Sequence, residues 1–186
     1  MVVRVNSAPN NKTIFILGVY LPTSTAPLNS YETCLDILED IILQLQDRGT
    51  IIIAGYFNAH IGSLGGPRSF SMTNSRGCLL WNSLKNFDFL SVNSQPLARG
   101  PVETYYAQEG KIRTTTDYIS IQSQVLPSVI SCIVSEDCSS NLSFHFPLYC
   151  CALKLCCKQR APRGEKANSF GTNYITDLIW KNTRSL

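Results

Sequence analysis

Apolar residues alternate or cluster in short runs along most of this chain, and twice they recur at helical spacing. Val2 to Val5 and Ile14 to Tyr20 are β-branched and aromatic runs separated by the turn-rich stretch Asn6 to Asn11. They predict two strands joined as a hairpin. Tyr31, Leu35, Leu38, Ile42 and Leu45 lie three or four apart, which predicts a helix over Leu28 to Arg48 with one apolar face. Asn29 or Ser30 is placed to cap it, Glu32 to offer a carboxylate to the first turn, and Gly49 to stop it. Thr50 to Ala54 is an isoleucine-rich run that suits a buried strand, with Gly55 at its end and a glycine-rich loop from Tyr56 to about Asn74.

A second helix is expected over Ser75 to Phe87, with Leu79, Leu80, Leu84 and Phe87 to one side. Further strands are expected at Phe89 to Val92, Glu103 to Tyr106, Asp117 to Ile121, Val129 to Val134 and Phe146 to Leu155. Interleaved strands and helices predict an α/β or α+β domain. From Lys154 the character changes, with Lys154, Lys158, Arg160, Arg163 and Lys166 around Pro162 and Gly164. The expected division is a domain over 1–155 and a basic linker or tail over 156–186, ending in an apolar stretch at Ile175 to Trp180.

The chain has 186 residues, 44% hydrophobic and only 16% charged. That composition excludes disorder as the main state and leaves a surface rich in uncharged groups. A net charge of +3 permits a polyanionic partner without demanding one. No apolar run reaches the ~18 residues of a membrane span, and Met1 to Asn10 lacks a signal-peptide pattern. An intracellular protein, cytoplasmic or nuclear, is therefore expected. Its eight cysteines would stay reduced, and the sequons at Asn11 and Asn141 would have no meaning. Cys150-Cys151 and Cys156-Cys157 lack zinc spacing, and adjacent residues of a strand face opposite ways. They read as small core residues and solvent-side thiols.

Candidate chemistry lies where strands end in polar residues. Val19-Tyr20-Leu21-Pro22, Gly55-Tyr56-Phe57-Asn58-Ala59-His60 and Asn74-Ser75-Arg76-Gly77 come first. Thr104-Tyr105, Thr116-Asp117-Tyr118-Ile119 and Ser143-Phe144-His145-Phe146-Pro147 follow. In order and spacing these blocks resemble the second half of the endonuclease/exonuclease/phosphatase superfamily, the metal-dependent phosphodiesterases that include apurinic endonucleases. They look most like the endonuclease domain of LINE-type, non-LTR retrotransposons. There the blocks read Val-Tyr-x-Pro, Gly-Asp-Phe-Asn-Ala-His, Asn-x-Arg-Gly, Thr-Tyr, Ile-Asp-Tyr and Ser-Asp-His-x-Pro.

The resemblance implies an α+β sandwich of two packed β-sheets with helices on both outer faces, a magnesium cofactor and DNA as partner. It implies that Tyr20 contacts the scissile phosphate and that Asn58 holds water or a phosphate oxygen. Asp117 would orient His145, which would stabilise charge on pentavalent phosphorus. His60 would shape its loop. Two departures matter. The aspartate that positions or deprotonates the attacking water is Tyr56 here, and the one next to metal and histidine is Phe144. A phenol is a poor base near pH 7, and a phenyl ring gives magnesium no oxygen. The family's N-terminal portion, with an asparagine and a metal-binding glutamate, has no counterpart in this sequence. One sheet should then be short, with open edges and exposed apolar surface. The expectation is a truncated, degenerate endonuclease domain, separated from the reverse transcriptase of its parent element. The alternatives are an active magnesium-dependent nuclease using Asp88 or Asp137, and a non-catalytic nucleic-acid-binding module.

Overall fold

In the computed structural model, the described residues are 1–7, 12–69, 72–107, 112–136, 145–146, 148–154, 174–175 and 178–180. Strand β1 (Val2–Ser7) and strand β2 (Lys12–Tyr20) form the expected antiparallel hairpin. Helix α1 (Leu28–Leu45) leads to β3 (Thr50–Tyr56), and helix α2 (Ser75–Asn86) leads to β4 (Phe89–Ser91). Then come β5 (Ala98–Arg99), β6 (Tyr105–Ala107), β7 (Ile112–Thr114), β8 (Asp117–Gln122) and β9 (Val129–Val134). Strands β10 (Leu148–Lys154), β11 (Tyr174–Ile175) and β12 (Leu178–Trp180) complete the described elements.

The first sheet has the order β1-β2-β3-β8-β4, with β2 and β3 parallel across α1. The second runs β11-β10-β9-β5, and β12 pairs with β10 next to β11. A small hairpin, β6-β7, stands apart from both.

Period-two alternation divides the core into two layers. Phe15, Leu17, Ile51, Ile53 and Tyr118 face α1 and α2, where Tyr31, Leu35, Leu38, Ile42, Leu80 and Leu84 meet them. Ile14, Ile52, Ala54, Ile119 and Ile121 face the second sheet, meeting Cys132, Val134 and Leu148. Strand β3 is covered on both faces, which explains its unbroken apolar run.

Both α-helices among the described residues pack on the first sheet, whereas the family resemblance implies helices on both outer faces. Ile130 and Ile133 of β9 are exposed on the second sheet. Local details also differ from expectation. Helix α1 begins at Leu28 behind Pro27, with no side-chain cap and no acidic residue in its first turn. Asn29 and Ser30 are already helical, because Pro27 itself holds the extended conformation that a cap requires. Gly49 does not stop the helix, which ends four residues earlier. A Cβ there would lie 2.3 Å from the Thr13 carbonyl oxygen, so glycine is needed for close approach to β2. Gly55 lies inside β3 rather than at its end, with φ +150° and room for no Cβ against the Val19 carbonyl. The β2–β3 ladder thereby continues to Tyr20 and Tyr56.

Candidate active site

Three inner-face rows run out of the core to one end of the first sheet. On β2 the row is Ile14, Ile16, Gly18, Tyr20; on β3 it is Ile52, Ala54, Tyr56; on β8 it is Ile121, Ile119, Asp117. Tyr20 pairs in register with Tyr56, and Tyr56 with Asp117. The same alternation that builds the core therefore sets these three side chains abreast at the mouth of the sandwich.

His145 reaches them from the other side. A backbone bridge joins it to Tyr105, and the Phe146 N–H donates to the Thr104 carbonyl at 2.7 Å. His145 Nδ1 lies 2.9 Å from Asp117 Oδ2, with Asp117 only 1% exposed. With Nδ1 donating, this is a charge-assisted hydrogen bond, and an ion pair once the ring is doubly protonated.

The carboxylate is held tightly. Thr104 Oγ1 donates to the same Oδ2 at 2.8 Å and Thr116 Oγ1 at 3.3 Å. Thr104 Oγ1 also accepts from the Thr116 and Asp117 backbone N–H groups. Asn93 Nδ2 donates to the Asp117 carbonyl, and its Oδ1 accepts from the Ile119 N–H, which extends strand pairing beyond β4. Asp117 Oδ1 is buried without a hydrogen-bond partner among the described residues. The sequence signal for Thr104 and Thr116 is their place inside the Thr-Tyr and Thr-Asp-Tyr blocks. Asn93 gives no such signal, because its role depends on where β4 stops.

Tyr56 fills the centre. Its ring centroid is 4.6 Å from that of His145, edge to face, and 5.4 Å from that of Tyr20. Tyr105 approaches His145 from another side at 4.8 Å. Burial, then the Asp117 charge, pushes the Tyr56 hydroxyl up to about 12, while a hydrogen bond with Thr116 pulls the other way. Tyr20 is 46% exposed at the rim.

Asn58 sits apart from this cluster's hydrogen bonds. It adopts φ 50°, a left-handed conformation that asparagine tolerates, and donates from Nδ2 to the Leu21 carbonyl at 2.6 Å. Its amide nitrogen thus ties the ends of β2 and β3 together. His60 shapes the loop: Asn74 Oδ1 accepts from its N–H and from the Gly77 N–H that begins α2. The His60 ring meets Thr114 Oγ1 at 3.1 Å, and burial lowers its proton affinity. Arg76 donates to the carbonyls of Pro22 and Ala26 and lies over the Tyr31 ring, locking the β2–α1 turn. Phe144, Asp137, Cys156, Cys157 and the basic residues Lys158 to Lys166 lie outside the described residues, as do the side chains of Cys150, Cys151 and Lys154.

Magnesium takes about six oxygen ligands in near-octahedral geometry, usually with one or two carboxylates among them. Asp117 is the carboxylate of the cluster, and its Oδ2 already accepts from three groups. Tyr56 stays protonated and neutral at pH 7. Among the described residues no three of His, Cys, Asp and Glu gather closely enough to hold a metal ion. These donors do not fit a magnesium site. No helix among them is long and apolar enough to cross a membrane.

Two packed sheets with an Asp–His pair at one open end make an α+β fold that is shared with solved nuclease structures. The chain is similar to the endonuclease domain of TRAS1, a telomere-specific non-LTR retrotransposon, at TM-score 0.58 and 20% identity, over 79% of this chain and 60% of that one. It is similar to the AP endonuclease LMAP from Leishmania major at TM-score 0.62 and 13% identity, over 79% of this chain and 52% of that one. The 3′ phosphatase NExo from Neisseria, bound to product DNA hairpin, aligns at TM-score 0.59 and 13% identity, over 79% of this chain and 62% of that one. The chain thus spans between 52% and 62% of the length of these three structures. No family model and no curated protein matches the sequence.

Proposed function

We propose that the chain is a retrotransposon-type endonuclease domain, derived from a magnesium-dependent phosphodiesterase that nicks DNA, whose hydrolytic chemistry has decayed. Its catalytic remnant is Tyr20, Asn58, Asp117 and His145. The observation that carries this reading is Tyr56, seated between Tyr20 and Asp117 with its ring against His145. Hydrolysis needs a group there that takes a proton from water near pH 7. A hydroxyl held at about 12 keeps its own proton instead. The likeness to nucleases supports DNA as the ancestral partner. Residues 1–155 would be the partial nuclease domain and 156–186 its basic linker or tail.

Rescue by Asp88 is disfavoured by its position. It precedes Phe89, which pairs with Gln122, so it stands at the far end of β8 from Asp117, about 16 Å away along the strand. Its carboxylate accepts from Ser123 Oγ there.

The test is nicking of supercoiled plasmid with magnesium, with chelator, and with a His145→Gln control. No magnesium-dependent nicking is expected. Nicking that vanishes both with chelator and in the control would overturn the proposal.

A further inference from the structure

The ring cluster at the sandwich mouth has a consequence of its own. Tyr20, Tyr56, His145 and Tyr105 form a continuous chain of rings, with successive centroids 5.4, 4.6 and 4.8 Å apart. The rings belong to β2, β3, the start of the β10 segment and β6, so four separate parts of the chain converge on one spot. The inner members are packed and oriented, while Tyr20 at the rim is nearly half exposed. A half-exposed ring already packed against a neighbour loses little freedom when a flat partner stacks on it. Among the described residues of the cluster the carboxylate is Asp117, and at 1% exposure it is withdrawn from an approaching phosphate backbone.

We infer that this cluster is a stacking site for an unpaired nucleobase, and that its ligand is single-stranded DNA bound without metal. The inference rests on the proposed descent from a DNA-acting phosphodiesterase, which supplies DNA as the ligand. Bases offer π-faces whatever their sequence, so binding depends on the presence of a base and little on its identity. Duplex DNA, whose bases are stacked inside, is a poor ligand for such a site.

The experiment is fluorescence anisotropy in the presence of chelator, comparing a labelled oligothymidylate with an abasic oligomer of the same length and with a duplex. The abasic strand and the duplex should each bind at least about fivefold more weakly than the base-bearing strand. Tyr20→Ala should lose a similar factor, and Tyr20→Phe should keep the affinity, since the ring remains. Far-ultraviolet circular dichroism of both variants should match the parent, because Tyr20 lies at the rim. A Tyr105→Ala variant gives a second removal of a ring from the same cluster and should weaken binding likewise.

Equal binding of base-bearing and abasic strands, or full affinity in Tyr20→Ala, would overturn the inference and leave only charge attraction. The plasmid assay reads the other question separately. Magnesium-dependent nicking with base-dependent binding intact would remove the decay proposal and keep the stacking site.

Discussion

Tyr56 and His60 shift away from their ordinary titration ranges in directions that make stability depend on pH at both ends. Tyr56 is raised from 10.0 to about 12, and burial raises Tyr31 and Tyr118 as well. Folded chains then keep phenolic protons that unfolded chains release, so these groups contribute fully below pH 10 and lose the contribution as pH rises through the folded values. The urea midpoint should therefore fall from about pH 10 upward. Tyr56→Phe should flatten that fall between pH 10 and 12; an unchanged slope would show that its hydroxyl is not protected. His60 has the opposite dependence. Its affinity is lowered from 6.5, so its contribution is present above that value and is lost as pH falls through the folded value. His60→Gln should reduce the loss of stability measured between neutral pH and mild acid.

At the scale of elements, α2 and the loop before it depend on how closely two backbones can approach. Gly77 stands in the first turn of α2, where alanine would favour the helix by about 1 kcal/mol. A Cβ there would lie 1.7 Å from the His60 carbonyl oxygen. Gly77→Ala should thus destabilise the domain by about 2 kcal/mol despite its better propensity, because the loop must move. Chemical denaturation would decide the sign. Asn74→Ala removes the acceptor of both the Gly77 and His60 N–H groups and should cost about 1–2 kcal/mol in the same measurement. Helix α1 has no comparable dependence, since it starts behind Pro27 without a side-chain cap.

The whole molecule combines a two-layer core with an uneven surface. Met1 and, on the first sheet's outermost strand, Val2 and Val3 are exposed, as are Ile130 and Ile133 of the second sheet. Edge backbone beside apolar side chains invites strand addition and association, and a charged fraction of 16% offers little to oppose it. The isolated chain should sediment as a mixture of monomer and larger species and unfold with poor reversibility in urea. A monodisperse monomer with a cooperative, reversible transition would contradict this expectation.

The local pattern of the sequence was sufficient for the hairpin, both helices with the buried face of α1, and strands β3, β8 and β9, because burial on one or two faces leaves a period of 2 or 3.6 in the residues. The blocks at strand ends and starts also marked Tyr20, Asp117 and His145, which the fold brings to one end of the sandwich. Short strands such as β5 and β7 left no pattern, for two or three residues cannot show a period. The roles of Gly49, Gly55 and Gly77 were equally hidden, since the backbone each one accommodates lies at least 17 residues away in sequence: Thr13, Val19 and His60. Tertiary structure alone decided that Tyr56 would press its ring on His145 and that Asn58 would use its amide nitrogen on Leu21. A residue's type fixes what it can do chemically, but partners distant along the chain fix which of those capacities remains available.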